Sequence, residues 1–229
     1  MLKILGIDTA TDILGIAVTE DKTLIAEYRS NIRRAHAERL IPSIERLLSD
    51  LKIEPTDLDG ISISIGPGSF TGLRIGLAAV KGLALAADLP VVSVSTLDVL
   101  ASQAAFWNEQ ICPIIKAQGE ESYTALYKYK GEELTRLTEY RLIQMSQLEI
   151  LIKEKTLILS VGINEIESYI TRGLEKKIKI APREISHTSG FSVALLGYEK
   201  ILKNEFENID QLVPFYLKDF KAKKKIGII

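Results

Sequence analysis

Apolar and β-branched runs at about 2–8, 13–19 and 23–29 are separated by Thr-Asp and Glu-Asp-Lys punctuation, the pattern of three strands joined by tight antiparallel turns. The hydrophobic period then lengthens. Leu40, Ile41, Ile44, Leu47, Leu48 and Leu51 recur at helical spacing, while Glu38, Arg39, Glu45, Arg46 and Asp50 take the other side. Pro42 bends this helix or lies in its first turn. A buried strand at 61–65, a glycine-bearing turn, an apolar helix at about 71–87, a strand at 91–94 and a helix from about 96 to 106 complete the order βββαβαβα.

The second half repeats this scheme loosely. Strands are expected near 112–116, 122–129 and 134–141, then a helix near 145–153, a strand at 156–161, a helix near 164–172, a strand near 177–180 and a helix at about 188–203. The pattern therefore predicts two α/β lobes. Their boundary, near 105–111, reads Trp107-Asn108-Glu109-Gln110 without a Gly/Ser/Pro linker, so the lobes are expected to pack together. The tail from Lys221 to Ile229 carries Lys221, Lys223, Lys224 and Lys225 and reads as a solvated segment, with phosphate contact as the alternative.

Composition narrows the function classes. At 229 residues and 46% hydrophobic, the chain has enough apolar material for a substantial core. Its 29 basic and 30 acidic side chains give a net charge of -1, which offers nucleic acid or an anionic membrane no overall attraction. The single cysteine, Cys112, lies in an apolar run and reads as a buried thiol, with a reactive nucleophile as the remote alternative. Met1 to Asp8 is too short an apolar stretch for a signal peptide, and no apolar run is expected to span a bilayer, so a cytoplasmic location is expected.

The most distinctive stretch is GPGSFTGLRIG, Gly66 to Gly76, which leads from a strand into a helix. Such a turn can present backbone amides to an anion. No Gly-Lys-Ser/Thr follows, and the glycines are spaced one residue too wide for a dinucleotide fingerprint. Two readings remain: a phosphate cradle, or a tight turn in which Ser69 or Thr71 caps the helix, and the residues alone favour the second. The helix behind it carries only Arg74 and Lys81 as charges and is apolar nearly all round, so a second side is expected to be covered. Gly76 and Gly82 each cost roughly 1 kcal/mol relative to alanine in a helix interior. Ala78, Gly82 and Ala86 form a smooth stripe, and Arg74, Ala78, Lys81 and Leu85 are assigned to an outward, partner-facing side.

The opening Ile4-Leu5-Gly6-Ile7-Asp8-Thr9-Ala10-Thr11, the segment His36-Ala37-Glu38-Arg39-Leu40-Ile41-Pro42, the block GPGSFTGLRIG and Pro214-Phe215-Tyr216-Leu217-Lys218 together resemble the TsaB family over most of the chain. The resemblance implies an α/β actin-like ATPase (ASKHA) fold of two duplicated ribonuclease-H-like lobes, here 1–106 and 107–229. It implies no enzyme but a non-catalytic partner of TsaD, assisted by the ATPase TsaE. That complex transfers threonylcarbamoyl from its adenylate to the adenosine beside the anticodon of tRNAs that read codons starting with A. The partner-binding residues assigned on this basis are His36, Arg39, Leu40, Arg74, Leu77, Ala78, Lys81, Gly82 and Leu85; tRNA is reached through the complex, and a homodimer through the same helix is the alternative when TsaD is missing.

The same resemblance places Asp8 and Thr9 where actin-like ATPases approach phosphate and magnesium, giving Asp8, Thr9, Gly66, Gly68, Ser69 and Thr71 as a vestigial phosphate site. The plainer alternative is that Asp8 ties up backbone amides between two strands. Departures in the second half favour it: Lys116-Ala117-Gln118 stands where the family often has Asp-Ala-Arg, and Gly162-Ile163-Asn164 where Gly-Asp-Gly is common. Where TsaD carries a His-x-Glu-Gly-His metal motif, the chain reads Thr96-Leu97-Asp98-Val99-Leu100, and its two histidines, His36 and His187, are far apart in sequence, so no metal or other cofactor is expected. A surface or interface role is expected for His36. The competing function is a stand-alone ATPase or small-molecule kinase built on Asp8, Thr9 and the glycine turn.

Overall fold

In the computed structural model, which describes residues 1–31, 36–163 and 166–217, β1 (Lys3–Asp8) is the axis of a five-stranded sheet. Its residues from Ile4 on are buried, as a strand covered on both faces requires. β2 (Leu14–Glu20) pairs antiparallel with β1 and with β3 (Thr23–Ser30), forming the three-strand meander read from the sequence. β4 (Gly60–Ser64) and β5 (Val91–Val94) add in parallel on the other side, giving the order β3-β2-β1-β4-β5.

One face of this sheet is covered by α1 (His36–Leu51) and α2 (Phe70–Ala87). Pro42 lies inside α1, beyond its first turn. The buried residues of α1 are His36, Leu40, Ile44, Leu47 and Leu48, which keep the three-to-four spacing of an amphipathic helix. They share a core with Leu5, Ile7, Ile61 and Ile63 of the sheet and with Leu77, Val80 and Ala84 of α2. At 18 residues and a mean hydropathy of 1.4, α2 is long and apolar enough to cross a membrane, which corrects the expectation that no such run exists; one side of it buries Leu73, Leu77, Val80 and Ala84 within this chain.

The second sheet is built from β6 (Gln110–Lys116), β7 (Glu121–Thr124), β8 (Tyr127–Lys130), β9 (Glu133–Arg136), β10 (Arg141–Gln144), β11 (Thr156–Val161) and β12 (Ile178–Ile180). Its main path, β10-β7-β6-β11-β12, repeats the first sheet's pattern of two antiparallel neighbours on one side and two parallel neighbours on the other. The hairpin of β8 and β9 lies off this path. It arises because each of the two strands expected at 122–129 and 134–141 is broken in two. The expected helices near 145–153 and 164–172 are reduced to 3₁₀ turns at Met145–Gln147 and Ile166–Tyr169 and single-turn helices α4 (Leu148–Leu151) and α5 (Arg172–Glu175). Asn164 and the lysines of 221–225 lie outside the described residues.

Two helices cross over between the halves. α3 (Thr96–Ser102), from the first half, packs Leu97, Leu100 and Ala101 against Ile111, Tyr127 and Leu157 of the second sheet. α6 (Gly190–Leu202), from the second half, lies on the first sheet on the face opposite α1 and α2. The approach is close enough to require glycine on both sides: a Cβ at Gly6 would stand 2.1 Å from the Gly190 carbonyl oxygen, and one at Gly190 2.6 Å from the Ala17 nitrogen.

Candidate functional site

At the carboxyl end of β1, Asp8 is fully buried. Its Oδ1 accepts the Ala10 amide at 3.1 Å and the Thr188 hydroxyl at 2.9 Å, and its Oδ2 accepts the Ser64 hydroxyl at 2.5 Å. Thr11 and Thr188 hydroxyl oxygens are 3.0 Å apart. One carboxylate thus joins the β1–β2 turn, the end of β4 and the residue that leads into α6. Burial pushes the Asp8 carboxyl above its usual range, against the opposing effects of the Ser64, Thr188 and Ala10 bonds and the His36 charge. The sequence showed the amide contact to be plausible; Ser64, Thr11 and Thr188, distant in the chain and chemically ordinary, gave no local signal.

The glycine turn is pressed onto the same β1–β2 turn. A Cβ at Gly68 would stand 2.2 Å from the Ala10 carbonyl oxygen, and one at Gly72 2.1 Å from that of Thr9. Ser69 donates its amide to the Ala10 carbonyl at 2.7 Å and accepts the Gly72 amide on its own hydroxyl at 3.1 Å, so Ser69 is the helix cap. These contacts bring Asp8, Thr9, Gly68 and Ser69 together, but they engage the Ser69 amide with a carbonyl instead of presenting it to an anion. Thr71 is exposed, and Gly66 is held from outside by Phe215, whose amide donates to the Ile65 carbonyl at 2.8 Å.

Along α2, Thr71, Arg74, Ala78, Gly82 and Leu85 are exposed, a stripe with the period of one helix face. Leu85 is 70% exposed, and nothing lies within 4 Å of where a Gly82 Cβ would be. Arg74 is exposed yet anchored: its guanidinium lies 3.7 Å over the Phe70 ring, and its Nε donates to the Tyr216 hydroxyl at 3.1 Å. Lys81 is half-buried beside this face, with Nζ 3.4 Å from the Asp210 carbonyl oxygen. Arg39 of α1 is exposed.

Three residues assigned to the partner face are corrected. His36, Leu40 and Leu77 are 8%, 1% and 4% exposed and face this chain's own sheet and helices. Leu40 and Leu77 carry the inward period of their helices, and His36 sits at the first turn of α1 on that same side. The carboxy-terminal contacts of Phe215 and Tyr216 were missed, because Pro214-Phe215-Tyr216 carries no periodicity from which a partner could be read.

A family model described as TsaD, tRNA N6-adenosine threonylcarbamoyltransferase, matches residues 12–226. The tRNA threonylcarbamoyladenosine biosynthesis protein TsaB of Bacillus subtilis (strain 168) is 34% identical over 227 residues, covering 98% of this chain and 97% of that protein. The chain belongs to the TsaB family. YeaZ from Pseudomonas aeruginosa superposes with a TM-score of 0.79 at 25% identity, covering 95% of this chain and all of that one.

Component A of the (R)-2-hydroxyglutaryl-CoA dehydratase of Acidaminococcus fermentans aligns with a TM-score of 0.53 at 12% identity, over 88% of this chain and all of that one, a likeness of fold alone. In this TsaB-family chain, Thr96, Leu97, Val99 and Leu100 are buried core residues of α3. Among the described residues, no group of three or more His, Cys, Asp or Glu is placed to hold a metal ion. His187 is kept neutral more readily than usual, by partial burial and then by the charges of Arg29 and Arg183.

Proposed function

We propose that this TsaB-family chain is the non-catalytic partner subunit of a TsaD-type transferase. It docks on TsaD through the Arg74, Ala78, Gly82 and Leu85 face of α2, bordered by Lys81 and by Arg39 of α1. TsaE joins this pair, and tRNA is engaged through the complex in the cytoplasm. The observation that carries the reading is Gly82: it weakens its helix and meets nothing within the chain, beside a leucine that is 70% exposed. A smooth helix face allows close approach by a second helix, and the same face serves a homodimer when TsaD is missing. The name carried by the Bacillus subtilis relative supports the process, and the match to a TsaD model supports the kinship of the two subunits.

The repeated strand pattern supports a duplicated ribonuclease-H-like architecture with the sheets divided as 1–106 and 107–229, α3 and α6 being exchanged between them. The contact of the glycine turn with Thr9 and Ala10 favours a structural role for Asp8, Thr9, Gly66, Gly68, Ser69 and Thr71 over a stand-alone ATPase or kinase.

Sedimentation of the purified chain alone and with TsaD tests the docking. Ala78→Glu and Leu85→Glu are expected to abolish the heterodimer while leaving the thermal midpoint of the isolated chain within a few degrees. Leu40→Glu, which places a charge in the core, is expected to unfold it. An unchanged heterodimer with both surface variants removes α2 from the interface, and tRNA modification by the chain without TsaD overturns the non-catalytic role.

A further inference from the structure

Behind the glycine turn, at the carboxyl ends of β4 and β5, is a cavity of about 310 Å³ that the proposed docking does not use. It opens between α6, α3 and the carboxy-terminal strap. Its walls are largely apolar: Ile65, Val94, Leu196, Tyr140 and Phe215. Two opposite charges line it, Lys200 from α6 and Asp98 from α3. They form no ion pair with each other, and Lys200 has no ion-pair partner among the described residues.

Asp98 is firmly positioned. The Tyr127 hydroxyl donates to its Oδ1 at 2.7 Å, and the Tyr140 hydroxyl reaches Oδ2 at 2.8 Å and Oδ1 at 2.9 Å. Burial and then the Asp98 charge push the Tyr140 hydroxyl up to about 12, so it remains a donor. A carboxylate has about four lone-pair positions, and two hydroxyls leave room for a further cationic donor. The side chains that hold Asp98 come from the second sheet and its connections, whereas Lys200 rests on the first sheet. The cavity therefore has a fixed anion on one wall, an unpaired cation on another, and an apolar lining between them.

We propose that this cavity binds a free α-amino acid with a compact apolar side chain. The ligand's ammonium group bonds Asp98, its carboxylate pairs with Lys200, and its side chain packs on Val94, Leu196 and Phe215. A zwitterion answers both wall charges at once, which neither a simple anion nor a simple cation does. The volume suits a small ligand resting in an open cleft with apolar walls and few polar contacts.

The test is a chemical-shift titration of the full chain with L-leucine, alongside isopentylamine and 4-methylpentanoate, which each keep one charged end. Saturable binding of leucine is expected, at least about tenfold tighter than either half-ligand, the scale of one lost charge-assisted contact. Lys200→Met and Asp98→Asn are expected to weaken it by a similar factor. Because Asp98 also holds two tyrosines, Leu196→Trp supplies an independent check: it fills the cavity while keeping both charged side chains, and should abolish binding in a chain that still melts cooperatively. Absence of saturable binding overturns the proposal. So does binding that survives both Lys200→Met and Leu196→Trp, or 4-methylpentanoate binding as tightly as leucine. The measurement uses the isolated chain, so its outcome is independent of whether TsaD docks on α2.

Discussion

A Cβ on Gly76 would stand 2.2 Å from the hydroxyl oxygen of Thr9, so α2 lies against the β1–β2 turn at a distance only glycine permits. Gly82, less than two turns further along, has open space where its Cβ would be. The two helix glycines therefore have opposite reasons to be present. Gly76→Ala is expected to destabilise the chain by about 1–3 kcal/mol through overpacking. Gly82→Ala should stabilise the isolated chain by up to about 1 kcal/mol through helix propensity. In a chain of this size each kcal/mol moves the thermal midpoint by roughly 2–4 °C, so calorimetry should show shifts of opposite sign.

Asp8 should shape the dependence of stability on pH. Its carboxyl is pushed up in the folded chain from an ordinary value of 3.8, chiefly by burial. A group whose folded value is raised contributes stability that is complete below its unfolded value and is lost as pH rises through the folded one. Thermal midpoints of the native chain should therefore carry a component that falls as pH climbs above 3.8. Asp8→Asn should remove that component, and parallel curves for the two proteins would refute it.

Cys112 is buried, its thiol is pushed up to about 12 by burial, and its sulfur lies 3.3 Å from the Thr124 hydroxyl. At pH 8 almost none of it is thiolate, the form that reacts. Iodoacetamide is expected to leave the folded chain unmodified and to alkylate it fully in denaturant. Rapid labelling of the native protein would contradict this placement.

Glu27 of β3 secures the start of α6. Its Oε1 accepts the Ser189 hydroxyl at 2.9 Å and the Phe191 amide at 3.2 Å, while Oε2 pairs with Arg29 at 3.0 Å. Glu27→Ala should cost about 1–3 kcal/mol, the range for charge-assisted hydrogen bonds left unmade. Glu27→Gln, which can still accept from both α6 donors, should cost less; equal losses would point to packing instead.

The first sheet was legible because its three meander strands, α1, β4, α2 and β5 each carry an uninterrupted period, and the strand 91–94 coincides with β5. The second half was less so. Ala125 and Leu126 fall inside the strand expected at 122–129, yet both are buried in the break between β7 and β8, and Leu126 donates its amide to the Thr138 hydroxyl. Periodicity cannot register a break whose amide is satisfied by a side chain twelve positions on. At the site, Ser69 as cap and Leu85 as an outward residue could be read locally. The burial of Leu40 and Leu77 could have been read from their helix periods as well, but the family motif drew them to the surface. Thr188 on Asp8 and Tyr216 on Arg74 depend on where the chain returns after more than a hundred residues, which no local pattern encodes.

The exchange of α3 and α6 has a consequence for how the molecule is made. While the ribosome is still adding residues 107–189, the finished strands of the first sheet have one flank bare, since the helix that belongs there has not been synthesised. That nascent half is an exposed sticky surface for roughly eighty residues of translation, and chaperone capture should concentrate in this interval. Once α6 emerges and closes the flank, neither half can come apart without stripping a helix from the other, so heat should melt both in one cooperative event.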